Sequence, residues 1–158
     1  MNKKKILKTI AIIGVAGLIL VGGIGLYLFN MPHRDVQSAR ADYALTSTQI
    51  VSEYLAYKDA ANQKYLAADG DSKILEISGT VAKITNDFNG QKVVLLKGSN
   101  DKAGVSATFT LETNKNLDGV EPGQTLSVKG VIRSGASYDE DLELYENVIL
   151  EKSDVIKK

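Results

Sequence analysis

Twenty consecutive residues, Ile10 to Phe29, carry no charge, no proline and no side-chain amide. At about 1.5 Å per residue, a helix of that length reaches across roughly 30 Å of hydrocarbon. No stretch of a globular core needs such a run, so the segment predicts a transmembrane helix over 10–29. Lys3, Lys4, Lys5 and Lys8 crowd its near end, and Tyr27 and Phe29 sit at its far end. Basic residues stay in the cytoplasm and aromatic rings favour the lipid interface, which puts the remainder of the chain outside the cytoplasm. A cleaved signal peptide is the rival reading. It is disfavoured by the length of the apolar core and by the lack of a small-x-small cleavage pattern after it. With no cysteine in the chain there is no acceptor for a lipid and no disulfide to staple a domain. Gly14, Gly17 and Gly25 share one side of the helix, but their spacing is not GxxxG. Ordinary glycine use is the simpler reading, and a homo-oligomer through this helix stays open.

Charge acquires meaning only when it is divided at this segment. The 158 residues hold 19 Lys+Arg and 19 Asp+Glu, a formal balance of zero. Four of those bases, and no acid, lie in the cytoplasmic head, residues 1–9, which leaves 15 bases against 19 acids beyond it. The part outside is therefore mildly acidic. It comprises about 125 residues, enough for one hydrophobic core and too few for two.

Residues 30–45 have mixed polarity and no sustained period, and they read as a juxtamembrane linker. The single histidine, His33, lies there beside Arg34, where interfacial solvation is the expected role. Thr46 and Gln49 have the spacing of a capping box. Beyond them Ile50, Tyr54, Tyr57, Ala61 and Tyr65 recur at helical intervals, widened by Val51, Leu55 and Leu66, which predicts one amphipathic α-helix over 46–67. Its tyrosine stripe suits docking on a sheet better than ligand stacking.

From Lys73 the period changes to two. Leu75, Ile77, Gly79 and Val81 share a strand face, and Ile84 on the opposite parity predicts a bulge after Gly79. The apolar run Val93 to Leu96 is a second strand. Val105, Ala107, Phe109 and Leu111 alternate with polar residues as a third, and Leu126, Val128, Gly130 and Ile132 line a fourth. Leu142, Leu144, Val148 and Leu150 are expected on a fifth. Glycines at matching places in the first and fourth strands suggest tight coiling, as in a small closed barrel. The fold expected over 72–152 is mainly β, with 153–158 as a tail.

Five strands in this order, with glycines in the first and fourth and a turn-rich loop before the fourth, look like an OB-fold, the five-stranded Greek-key barrel. The linker Asn30-x-Pro32-His33-Arg34-Asp35-Val36, the helix motif Ala61-Asn62-x-Lys64-Tyr65-Leu66 and the strand Glu76-Ile-Ser-Gly79-Thr-Val81 narrow the likeness. Together with the N-terminal anchor they resemble the tRNA_anti-like family of small bacterial membrane-anchored OB-fold proteins. Two departures stand out. Ala67 to Ser72 is inserted where the family passes directly from Tyr-Leu through Gly-Lys into the first strand, and Ala107 precedes Thr108-Phe109 where a cysteine is common. The resemblance implies a fold and an inner-membrane, periplasm-facing location; its motifs carry no catalytic signature.

OB barrels bind ligands across their second and third strands and between the loops that join strands one to two and four to five. Candidate contacts at those places are Phe88, Lys92, Arg133 and Tyr138, with Lys97 and Tyr145 as further contributors. The third strand offers neither ring nor base outward, and five acids lie between Asp139 and Glu146. That composition opposes a phosphate backbone, which needs a basic groove and stacking rings. Asp139, Glu140 and Asp141 are a weak candidate for a calcium site, and neither they nor Asp69-Gly-Asp71 have EF-hand spacing. Without a cysteine nucleophile, a histidine base in the domain or a phosphate-cradling glycine loop, no enzyme chemistry and no cofactor are expected. The expected function is a non-catalytic, membrane-anchored binding module for a protein, peptide or envelope glycan. Nucleic-acid binding and a structural spacer in a membrane complex are the alternatives.

Overall fold

The computed structural model describes Gly23, residues 35–68 and residues 71–156. The chain divides into two units, Met1–Asp35 and Val36–Lys158. The expected membrane span 10–29, apart from the helical Gly23, lies outside the described residues, as do the basic head, His33 and Arg34. Among the described residues no helix is long and apolar enough to cross a membrane.

Unit two starts earlier than the sequence suggested. Val36 is buried, and a strand β1 (Tyr43–Thr46) runs parallel to β2 (Ile74–Asn86), with Tyr43 opposite Leu75. The linker expected over 30–45 is thus part of the fold from Val36 onward. Its backbone is tied down at several points. Asp42 and Ile74 exchange hydrogen bonds, and the Lys129 ammonium donates to the carbonyls of Gln37 and Ala39 at 2.7 and 2.9 Å. A four-residue strand gives too few alternations to announce itself in sequence.

The predicted capping box is present in full: the Thr46 hydroxyl accepts from Gln49 N–H, and the Gln49 side chain accepts from Thr46 N–H. The single helix expected after it is instead two, α1 (Ser47–Ala56) and α2 (Lys58–Tyr65), separated at Tyr57, whose φ of −144° and ψ of 63° are not helical. The break divides the predicted stripe. Ile50, Tyr54, Ala61 and Tyr65 are buried, while Tyr57 is turned out and is 71% exposed. Glu53 staples the two helices together, accepting from Lys64 Nζ at 2.8 Å and from the Tyr65 hydroxyl at 2.7 Å. Tyr65 also packs edge-on against Tyr43, so the staple reaches β1.

Burial alone would raise the Glu53 carboxyl, but the hydrogen bonds from Lys64 and Tyr65 outweigh it and hold the group below its ordinary value of 4.5. A carboxylate depressed on folding stabilises the fold above its unfolded pKa, and that contribution is lost as pH falls through the folded pKa. Stability is therefore expected to be insensitive to this group between about pH 7 and pH 5 and to decline below about pH 4. Glu53→Gln should lower the urea midpoint at neutral pH and flatten the acid limb; an unchanged acid limb would show that the staple carries no linked proton.

The barrel is formed by β2, β3 (Lys92–Leu96), β4 (Val105–Phe109), β5 (Thr125–Ser134) and β8 (Val148–Val155). Its order is β2-β3-β4-β8-β5, closed by a second ladder between β5 and β2. Strand β2 serves both neighbours. Residues 74–80 pair with β5, residues 81–86 pair with β3, and the ladder shifts register between Val81 and Lys83, two residues beyond Gly79, where the bulge was expected. A side chain at Gly79 would meet Ser47 of α1, and one at Gly130 would meet Ser153 of β8, so these glycines permit close approach. A 3-10 helix (Asn114–Leu117) links β4 to β5, and the β4–β8 pair is parallel. Alternate residues of all five strands, among them Ile77, Val94, Phe109, Ile132 and Leu150, fill the core.

Two strand expectations need correction. The third strand ends at Phe109, leaving Leu111 66% exposed. The fifth begins at Val148, and Leu142 and Leu144 belong instead to an outward hairpin of β6 (Ser137–Asp139) and β7 (Leu144–Glu146). Asp139 builds its turn, one carboxylate oxygen accepting from the N–H groups of both Asp141 and Leu142, and Glu143 takes a positive φ of 51°. The apparent alternation from Leu142 to Leu150 is therefore broken by a turn. β8 in turn continues to Val155, which pairs with Val128, and Ser153 is buried.

Candidate ligand-binding site

The four residues singled out from the sequence do not converge. Phe88 is fully exposed in the loop that follows the C-terminal end of β2, whereas Arg133 lies just beyond Val131, the partner of Ile74 at the opposite end of that strand. Lys92 is committed to an ion pair with Asp118 at 2.9 Å, and Arg133 to Glu151 at 3.1 Å. Only Tyr138 enters a cluster. The outer face of β3 and β4 carries Val93 and Leu95 opposite Thr108 and Ser106, with Lys83 beside Leu95. It holds no ring and two cations, Lys83 and, just beyond β3, Lys97, whose ammonium donates to the Lys102 carbonyl; a base-stacking surface needs several rings.

The acidic loop is likewise organised internally. Asp139 caps its own turn, and Glu146 accepts from the Ser137 hydroxyl across the hairpin. Among the described residues, no group of three His, Cys, Asp or Glu side chains is arranged to hold a metal ion.

Three separate pieces of chain meet beside the hairpin instead. α1 brings Tyr54, the start of α2 brings Lys58, the loop 97–104 brings Lys102, and the hairpin brings Ser137, Tyr138 and Tyr145, around a cavity of about 330 Å³. Gly135 makes this meeting possible, because a Cβ there would overlap the Tyr54 ring; the helix thus lies directly on the hairpin's base. The loop is pinned on both sides. Asp101 accepts from the Thr48 hydroxyl of α1 and from Gly98 N–H, and Gly104 N–H donates to Asn147 at 2.8 Å.

Tyr138 and Tyr145 face one another across the hairpin, with centroids 4.8 Å apart and planes inclined by 49°. The Lys102 ammonium sits over the Tyr145 ring, 5.4 Å from its centroid. Tyr54 is buried, and among the described residues its hydroxyl has no hydrogen-bond partner. Burial, then the proximity of Tyr65 and Glu53, push its pKa up to about 12, so it remains a neutral phenol able to donate. Lys58 and Lys102 form no salt bridge among the described residues.

Sequence reasoning missed Tyr54, Lys58 and Lys102. The helical stripe assigns Tyr54 to docking, a role it also fills. The Tyr54 to Lys58 spacing of one helical turn was a usable signal, but nothing local marks Lys102.

A closed barrel in this strand order, with β4 and β8 parallel and an elaborated loop between its last two strands, defines an OB-fold domain. The chain belongs to the tRNA_anti-like family, whose sequence model matches residues 1–141. Among solved structures it is similar to a lipoprotein from Klebsiella pneumoniae that is described as a candidate nucleic acid-binding protein. The TM-score is 0.52 at 16% identity, over 80% of this chain and 100% of that one. At that identity the likeness is one of fold. No curated protein matches the chain.

Proposed function

We propose that the protein is a non-catalytic binding module, anchored in the cytoplasmic membrane by residues 10–29, with its OB domain outside the cytoplasm and a protein, peptide or envelope glycan as ligand. The observation that carries this reading is the cavity between α1 and the β6–β7 hairpin, where Tyr138 and Tyr145, on the loop that joins the last two strands of the barrel, meet Lys58 of α2 and Lys102 of the 97–104 loop. OB barrels use that loop for ligands. Support for the location comes from the basic head before an apolar run of transmembrane length, and from the structural neighbour's description as a lipoprotein.

The neighbour's description also favours a second reading, nucleic-acid binding. The ring-free face of β3 and β4 and the acids from Asp139 to Glu146 weigh against it. A structural spacer within a membrane complex is the third reading.

Crosslinking in intact membranes, followed by recovery of the tagged full chain, is expected to capture a partner or glycan; monomer alone would remove the binding reading. Single-stranded oligonucleotides should give no gel shift at low salt, and a salt-sensitive shift would move nucleic acid to first place. Orientation has its own test, because the chain contains no cysteine. A Ser99→Cys variant should react with a membrane-impermeant maleimide in cells whose outer barrier has been opened, and labelling only after membrane lysis would reverse the topology.

A further inference from the structure

We infer that the cavity between α1, the 97–104 loop and the β6–β7 hairpin binds an acidic sugar unit, its ring set against Tyr138 and Tyr145 and its carboxylate neutralised by Lys58 and Lys102. This rests on the reading of the domain as a binding module and names the ligand class of that site.

Charge argues first. Both lysines are exposed and, among the described residues, without an ion-pair partner, and Lys102 is held at the cavity by its place over the Tyr145 ring. Two uncommitted cations at one cavity call for an anion. The hairpin beyond them carries Asp139, Glu140, Asp141, Glu143 and Glu146, which limits how much negative charge can approach. A sugar with one carboxylate per unit meets both conditions, whereas a chain of phosphates does not.

Shape and hydrogen bonding narrow the class further. Tyr138 and Tyr145 are in contact and tilted at 49°, so no slot separates them in which a flat base could be sandwiched. The outer side of Tyr138, which is 48% exposed, is open to the apolar face of a saturated ring. Each lysine ammonium carries three N–H donors, and sugars are dense in acceptor oxygens. A volume of about 330 Å³ lies at the small end of ligand cavities, which run from about 300 to 1,000 Å³, and suits a short glycan segment.

The test is calorimetric titration of the detergent-solubilised full chain, at low salt, with digalacturonate, with neutral cellobiose and with AMP. Digalacturonate should bind saturably, and cellobiose and AMP should bind at least about tenfold more weakly. The Lys58→Ala/Lys102→Ala double variant should weaken digalacturonate binding by at least about tenfold, because each lysine supplies a charge-assisted contact. Lys92→Ala should leave it unchanged. Unaltered circular dichroism and urea midpoint would show that the double variant is folded. Tighter binding of AMP than of digalacturonate would overturn the sugar class. Absence of saturable digalacturonate binding, or full affinity in the folded double variant, would overturn the site. Either result could coexist with a partner captured by crosslinking, so failure here is distinguishable from failure of the binding-module reading.

Discussion

Tyr65→Ala should cost about 3–5 kcal/mol of stability, the range for removing a large buried aromatic side chain. Tyr65 is fully buried, lies against Tyr43 of β1 at 5.3 Å between ring centroids, and donates to Glu53 of α1 at 2.7 Å. Three elements therefore depend on one ring. Tyr65→Phe keeps the packing and loses the hydroxyl, so it should cost only about 1–2 kcal/mol. Urea midpoints at unchanged m-value measure both. A Phe variant as damaged as the Ala variant would mean that the hydrogen bond, and not ring burial, holds α2 on the domain.

Gly135→Ala is the second large effect, about 1–3 kcal/mol, because the added methyl group must displace the Tyr54 ring or the hairpin that rests on it. The cause can be isolated by a double-mutant cycle. In a Tyr54→Ala background the same glycine substitution should add no more than about 0.5 kcal/mol, since the obstructing ring is gone. A cost that persists in that background would place the strain in the backbone. Gly135 has no positive φ, which argues for the side-chain overlap. In the folded fraction of Gly135→Ala, cavity binding should also fall, because Tyr54 and Tyr138 approach the cavity from the two sides of this contact.

The contrast between these two residues explains what could be read from the sequence. Tyr65 belonged to a helical stripe whose period reported its burial, and the strict alternation in β4 and β5 reported theirs in the same way. Features that depend on a single backbone angle left no periodic trace. The break at Tyr57 lies inside an unbroken apolar period, and the turn at Glu143 lies inside an apparent strand, so each was overrun. The candidate site was harder still. Tyr138 could be anticipated from the place where OB barrels bind, but Lys58 and Lys102 lie 44 positions apart in the chain. They are brought to one cavity by the seating of Tyr54 on Gly135, by the Asp101 contacts to α1 and by the Gly104–Asn147 hydrogen bond. None of these has a spacing rule that sequence alone could follow.

Strand β8 has a consequence for how the molecule is made. It pairs with β4 on one side and β5 on the other, and Val155 still holds a rung of that ladder, opposite Val128. Until residues 148–155 have emerged, both neighbours present unpaired edges, the kind of surface on which chains pair with one another. Barrel closure therefore waits for β8, the last of the five barrel strands in chain order. A chain that lacks β8 should accumulate as aggregate, because β4 and β5 would each keep an open edge.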